Sequence, residues 1–252
     1  SEPIDSETQS GAITQFNSDG FDLGSWQAVN RSTRDFVGWG WNADTYEANN
    51  NAGSVNSEIR KNTAAGFSIV KYSYTGTGAQ TVGHGLGAVP DVVWRKPINL
   101  NESWSVYAAV LGWGNRTYLD GDGATSGTTT FSSTAPSSTV TRINNSNTGN
   151  YVEYVFRQIQ GYSRFGAYSA QSTLNGPFIY TGFKSSFVMI RRTDAANNWV
   201  IYDSERDKGN KTSTRIYPDL NDGGNSNTSH YIDITSNGFK INSPDGALLN
   251  KH

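Results

Sequence analysis

Few residue types in this chain could carry reaction chemistry. Its 252 residues include 3 histidines, 22 carboxylates and no cysteine. Three of the acids crowd into Asp203-Ser204-Glu205-Arg206-Asp207. Two carboxyls held at a set separation across a sugar are what glycoside hydrolysis needs. Cations stand among these acids, and the matching stretch of an earlier segment, Ala108-Ala109-Val110-Leu111-Gly112, holds no acid at all. The loop therefore reads as a solvated charged turn. Two oxygen-rich stretches, Asp120-Gly121-Asp122-Gly123 and Asp219-Leu220-Asn221-Asp222-Gly223-Gly224, resemble what calcium requires. Their spacing does not fit a helix-loop-helix hand, and Asp-Gly is a common hairpin turn. His84 lies in Val82-Gly83-His84-Gly85-Leu86-Gly87, which lacks the Gly-Lys-Ser/Thr ending of a phosphate loop. It reads as a turn histidine bonded to backbone. With His230 and the terminal His252 as the other two, no triad assembles. Asn-x-Ser/Thr triplets such as Asn115-Arg116-Thr117 are expected by chance in a chain this rich in those residues. No catalytic residue, metal site or cofactor is expected, and the chain reads as a binding or structural protein, not an enzyme.

Aromatic side chains are the other source of specific contact. Seven Trp, 13 Tyr and 11 Phe make up 12% of the chain. Trp26, Trp39, Trp41 and Trp113 have no counterpart elsewhere in the sequence. They are the candidates for an exposed patch that stacks on sugars or contacts an assembly partner. Trp104 and Trp199 do have counterparts and read as core residues.

The elements that would position these residues repeat. Asp91-Val92-Val93-Trp94-Arg95-Lys96 is followed by a polar turn and Trp104-Ser105-Val106-Tyr107. Phe187-Val188-Met189-Ile190-Arg191-Arg192 is followed by a polar turn and Trp199-Val200-Ile201-Tyr202. Each is an apolar run ending in two cations, then a Trp-x-apolar-Tyr strand, and such a period marks copies of one module. A third likeness joins Asn17-Ser18-Asp19-Gly20-Phe21-Asp22-Leu23 to Thr235-Ser236-Asn237-Gly238-Phe239-Lys240-Ile241. The first of these reads as the closing strands of a partial module.

Composition agrees. Charged residues are 17%, hydrophobic residues 35%, and there are 27 Gly and one Met. This is the profile of a turn-rich β protein. The expected fold is all-β: two tandem antiparallel β-sandwich, jelly-roll-like modules related by internal duplication, plus a short N-terminal strand segment. The expected divisions are an arm with closing strands at 1–45, a linker at 46–65, a first module at 66–160 and a second at 161–252. Phe36-Val37-Gly38-Trp39-Gly40-Trp41 alternates aromatic with small residues and reads as a half-buried strand. Residues 13–43 would complete the sheet of another subunit or fold back on the second module. A net charge of −2 gives no electrostatic reason for nucleic-acid binding. No run of about 18 apolar residues exists to span a membrane, and Ser1-Glu2-Pro3 does not open a leader peptide.

Three stretches carry a family resemblance: Ala64-Ala65-Gly66-Phe67-Ser68-Ile69-Val70, Tyr74-Thr75-Gly76-Thr77-Gly78, and Thr81-Val82-Gly83-His84-Gly85-Leu86-Gly87-Ala88-Val89-Pro90. They resemble an uncharacterised β-rich repeat domain of tail-fibre-like and other structural proteins of marine bacteriophages, notably those infecting cyanobacteria. Gly176-Pro177-Phe178-Ile179-Tyr180-Thr181-Gly182-Phe183 and Val188-Met189-Ile190-Arg191-Arg192-Thr193-Asp194 are similar to its companion repeat. The likeness runs from about residue 12 to 243. One departure is at the end, where Pro244 to His252 stands in place of a further Tyr-rich strand. The resemblance implies a virion structural protein: a tail fibre or surface appendage that attaches to host polysaccharide, or else a capsid decoration protein. A polysaccharide depolymerase and a free lectin are the further alternatives. Implied partners are other virion proteins, further copies of the chain (a trimer for a fibre) and a host surface glycan, in an extracellular particle assembled in the host cytoplasm. No catalytic residues carry over.

Overall fold

A computed structural model describes residues 11–243 apart from 130, 132–133, 146, 172, 221–223 and 227–229. The expectation of a missing closing strand at 244–252, like the role of His252, lies outside the described residues. Those residues are all-β, with one 3-10 turn at Ala109–Leu111 and no α-helix. Every strand pair is antiparallel.

The strands in chain order begin with a hairpin, β1 (Ile13–Phe16) and β2 (Phe21–Leu23). Next come β3 (Thr45–Asn50), β4 (Ser57–Asn62), β5 (Phe67–Tyr74), β6 (Gln80–Gly83), β7 (Val92–Pro97) and β8 (Ser105–Ala108). The first half closes with β9 (Asn115–Tyr118), β10 (Ser126–Gly127), β11 (Val140–Ile143) and β12 (Gly149–Phe156). The second half holds β13 (Phe178–Tyr180), β14 (Phe187–Ile190), β15 (Val200–Asp203), β16 (Lys211–Thr212), β17 (Thr214–Arg215), β18 (Asn225–Ser226), β19 (Tyr231–Thr235) and β20 (Gly238–Asn242).

The first half is dominated by one eight-stranded sheet, in the order β10-β9-β8-β7-β12-β5-β4-β3. Period-2 alternation explains how its central strands divide their side chains between two faces. On β12, Tyr151, Glu153 and Val155 face one way and Tyr154 and Phe156 the other. The first face is covered by the β6–β11 pair, which brings Val82 and Ile143 onto Val70, Tyr72, Val93, Tyr107 and Phe131. The second face carries Phe67, Val92, Val106 and Phe156 and is covered by Ala43, Phe165 and Trp199. Phe156 is the hub of that face, with ring contacts to Trp41, Phe67, Trp94 and Phe165.

Three differences from the sequence expectation have physical causes. Residues 46–65, read as a linker, contain β3 and β4, the outer hairpin of the large sheet. Their Asn-rich, polar composition reflects an edge strand with a solvent-facing side, since edges are normally made polar. The chain is tied down there: Ser54 N–H donates to Thr81 Oγ1 at 2.8 Å, and Gly53 passes so close that a Cβ would lie 2.3 Å from the Thr81 carbonyl oxygen. Residues 36–41 are not a strand, for they find no ladder partner and are held by ring contacts. The two halves are not two equal sandwiches. The second has a four-stranded sheet, β13-β20-β19-β16, and the separate pairs β14-β15 and β17-β18 around its own core of Val188, Tyr202, Ile232 and Phe239. One cluster spans both halves, through Trp199 and Phe165, so they meet over an apolar surface.

The repeated hairpins share a pairing pattern. Val93 lies opposite Tyr107 and Val188 opposite Tyr202. Val106 faces Thr117 and Ile201 faces Ile216; Arg116 faces Ser126 and Arg215 faces Asn225. The cations, however, are offset by one. The turn after them is residues 97–103 in the first copy and 193–198 in the second. Arg95 therefore takes the inward place that Ile190 fills in the second copy, and Lys96 the place of Arg191.

Arg95 is thus buried, at 2% side-chain exposure, against Glu153 at 0%, with Nη2 2.6 Å from Oε1. Tyr72 donates to Glu153 Oε1 at 2.8 Å and Thr141 of β11 to Oε2 at 2.9 Å, while Arg95 Nη2 reaches the Arg142 carbonyl at 2.5 Å. The guanidinium lies over the Tyr107 and Phe131 rings, 5.3 and 5.0 Å from their centroids. Burial pulls the Arg95 pKa down, but Glu153 and the neighbouring Tyr72 and Tyr107 outweigh it and the net shift is up. Burial also raises Tyr72 well above its ordinary value. Removing one member of a buried pair strands the other, so Arg95→Ala should cost about 3–5 kcal/mol. The double change Arg95→Ile with Glu153→Leu should cost far less. Denaturant unfolding checks both, and equal costs for the two variants would refute this account.

Candidate functional site

The aromatic candidates divide. Trp26 is 37% and Trp41 42% exposed, and Trp39 is half-buried. Trp39 and Trp41 meet Phe187 edge-on, with centroids 5.5 and 5.9 Å away, and Trp41 also meets Phe156 at 6.5 Å. This is how an extended, unpaired segment is fixed: edge-to-face rings supply direction as well as apolar area. Trp26 stands at the foot of the β1–β2 hairpin, its N–H donating to the Gly11 carbonyl at 3.0 Å and its own carbonyl accepting from Asn30 at 2.9 Å. Trp113 does not belong with them. It packs on the first core, stacked on Phe131 at 5.1 Å. The structure brings Trp39 and Trp41 together around the Phe187 ring, and Trp26 is not part of that cluster.

The acids of 203–207 staple their own turn. Asp203 is buried; its Oδ1 accepts from the backbone N–H groups of Glu205 and Arg206 at 3.1 and 2.9 Å, and its Oδ2 from Arg206 Nε at 2.5 Å. Asp207 Oδ2 accepts from the Ser213 and Thr214 N–H groups, each at 2.6 Å. The reading of this stretch as a solvated turn holds for Glu205 but not for Asp203, whose carboxylate is buried and taken up by backbone and Arg206 donors. Among the described residues no cluster of three or more His, Asp or Glu could hold a metal ion.

The two Asp-rich turns do related work. Asp120 Oδ1 accepts from the Trp104 N–H at 3.1 Å, and Asp219 Oδ2 from the Trp199 N–H at 3.3 Å. The strands leading into them match as Arg116-Thr117-Tyr118-Leu119-Asp120 and Arg215-Ile216-Tyr217-Pro218-Asp219, with each arginine over its tyrosine at 5.0 and 5.4 Å. This Arg-x-Tyr-x-Asp recurrence is the sequence signal that would have tied the turns to the tryptophans.

The first turn is also one side of a joint between the halves. Arg191 donates to the carbonyls of Tyr118 at 3.1 Å, Gly121 at 2.5 Å and Gly123. Trp199 Nε1 donates to the same Tyr118 oxygen at 2.6 Å, with the Arg191 guanidinium 5.3 Å over its ring. Asn197 N–H reaches the Asp122 carbonyl at 2.7 Å. A cation surrounded by carbonyls and backed by carboxylates is well placed electrostatically. Burial raises the Asp219 pKa and lowers that of Arg191, and each charge partly offsets the shift of the other.

His84 is a buried turn residue. Its Nε2 donates to the Ser137 carbonyl at 3.2 Å and its Nδ1 accepts from the Leu86 N–H at 3.2 Å, an arrangement that fixes the neutral ring. Gly85 follows at φ 70°, a left-handed conformation that favours glycine.

A family model described as a domain of unknown function, DUF7483, matches residues 1–251. The chain belongs to that family. No curated protein and no solved structure matches it. The membership joins the hairpin, the large sheet and the second half in one recurring unit, and it names no activity.

Trp199→Ala should cost about 3 kcal/mol, because it empties a place in a packed cluster. Trp199→Phe keeps most of the ring and loses the bond to Tyr118, at about 1 kcal/mol. Denaturant unfolding separates them, and a cost below about 1 kcal/mol for the alanine would remove Trp199 from the joint.

A second outcome concerns pH. Burial is the main cause that holds the His84 pKa below the ordinary value of about 6.5, against the opposing effects of the Ser137 bond and the Glu153 charge. The unfolded chain therefore takes up a proton on this ring before the folded chain does. The His84 contribution is complete above about pH 6.5 and is lost as pH falls toward the folded value. Thermal midpoints should drop between about pH 7.5 and 5, and His84→Gln should flatten that drop. Parallel curves for the two proteins would place the titration elsewhere.

Proposed function

We propose that the chain is a bacteriophage virion structural protein, a tail fibre or surface appendage that contacts host polysaccharide and does no catalysis. The observation that carries the reading is the set of exposed aromatic rings near the N-terminal side, Trp26 and Trp41 above all, in a segment that also holds Asn30, Arg31, Arg34 and Asp35. Indole faces pack against the C–H faces of pyranose rings, and neighbouring amide and charged groups bond the hydroxyls. The sequence resemblance to phage repeat domains supports the virion setting. The use of Asp203 and Asp207 as turn staples favours binding over cleavage, since their oxygens already accept backbone and arginine donors. The partners on this reading are other virion proteins and a host surface glycan.

Two measurements test it. Antibody-gold labelling of intact particles should mark the tail or a surface appendage. Label spread over the head would favour a capsid decoration protein, and unlabelled particles would end the virion reading. Purified protein should bind host surface polysaccharide, and Trp26→Ala should weaken that binding about tenfold, or about 1.4 kcal/mol. The same change should move stability by less than about 0.5 kcal/mol, because the site lies away from the core. Undiminished binding by Trp26→Ala would remove this ring from the site.

A further inference from the structure

Arg215 is a buried cation of the second half, and it stands there without an acid. It lies on β17, one step along the ladder from the Ile201–Ile216 pair, so Tyr202 is its neighbour on the adjacent strand. Tyr217, two residues on, shares its face. Both tyrosines belong to the second core, so Arg215 is set on the inner face with them. Arg215 is 6% exposed, and its guanidinium carbon lies 5.4 Å from the centre of the Tyr217 ring. Its Nε and Nη1 are buried and meet no acceptor, and no carboxylate among the described residues pairs with it.

The first half shows what this fold does with a cation in its core. Arg95 has a buried carboxylate, Glu153, and the hydroxyls of Tyr72 and Thr141 complete the set. In the second half the acids are committed elsewhere. Asp203 is held by Arg206, Asp207 by the Ser213 and Thr214 N–H groups, and Asp233 by Asn242. A hydroxyl does face inward. Thr212 lies opposite Ile232 and so points toward the second core. It is fully buried, and its Oγ1 has no hydrogen-bond partner. Thr212 stands three residues before Arg215, across the corner that Asp207 fixes through Ser213 and Thr214. The corner therefore sends a guanidinium and a hydroxyl into one core, with no protein acceptor for Arg215 Nε, Arg215 Nη1 or Thr212 Oγ1.

We propose that Arg215 and Thr212 hold a small monovalent inorganic anion, chloride, in the core of the second half. A guanidinium is more weakly hydrated than an ammonium and offers its N–H groups as a rigid fork, which suits an anion taken out of water. A buried charge is tolerated with a partner, and the ion does for Arg215 what Glu153 does for Arg95. Tyr202 and Thr212 are at 0% exposure, so the place is closed to bulky ligands and suits a monatomic ion. Because the ion binds the folded chain and not the unfolded one, its concentration is linked to stability. The inference stands apart from the glycan reading, and either can fail alone.

Thermal unfolding in sodium chloride and in sodium gluconate, at equal ionic strength, tests it. The midpoint should rise with chloride along a saturable curve and stay lower in gluconate, whose anion is too large to enter. Arg215→Met, which keeps most of the side-chain length and removes the charge, should abolish the difference between the two salts. Equal wild-type midpoints in the two salts, or a chloride response that survives in Arg215→Met, overturns the proposal. If Arg215→Met does not fold, wild-type crystals soaked in sodium bromide decide: an anomalous peak is expected at hydrogen-bonding distance from the Arg215 guanidinium. A protein carboxylate on that guanidinium, or no bromide there, overturns the proposal. So does bromide bound at crystal concentration with no chloride response in solution, which would mark an adventitious ion only.

Discussion

One ion pair ties the two layers of the first half together. Arg95 comes from β7 and Glu153 from β12, adjacent strands of the large sheet; Tyr72 of the same sheet also donates to Glu153, and the other partners, Thr141 and the Arg142 carbonyl, lie across the core on β11. Two charges without water are costly unless their hydrogen-bonding capacity is met. That demand fixes where β11 can lie, and with it β6, the turn of His84 and the 46–65 hairpin bonded to Thr81 and Gly83. The second half manages the equivalent position with Ile190, and there β14 pairs with β15 alone and does not join the larger sheet of its half.

The halves are joined in a different way. Arg191 and Trp199 grip a loop whose backbone carbonyls converge, while apolar groups from both sides close over Phe156. A polar clamp of this kind sets orientation, and the apolar contact around it supplies most of the free energy. The result is a firm body on which the N-terminal segment is only partly anchored: Trp39 and Trp41 bind it at Phe187, and the β1–β2 hairpin stands off with its apolar face in water. A protein built to meet a partner or a surface is expected to keep such contacts outside its own core.

Much of the fold was legible in the sequence because strand periodicity is local. The Trp-x-apolar-Tyr segments became β8 and β15 with their tyrosines buried in matching register. Edge strands were illegible for the same reason: β3 is polar on its solvent side and resembles a linker until its partner is known. The candidate site was read less well. Trp26 and Trp41 are exposed, but Trp39 is half-buried as Trp113 is, and nothing in the neighbours of Trp113 foretold its stack on Phe131.

The sequence by itself determined the all-β class, the repeat and the absence of thiol chemistry, since these follow from composition and short-range pattern. It could not decide which cations are buried. Arg95-Lys96 and Arg191-Arg192 look alike along the chain, but a turn one residue shorter moves the second pair by one place, and a one-residue slip sends a side chain to the opposite face of a sheet. Arg95 consequently became the buried centre of one half and Arg191 the clamp between the two. Which carboxylates stay free, which aromatic face remains uncovered and which edge is left open were likewise set by contacts between residues tens of positions apart, and only the tertiary structure contains those.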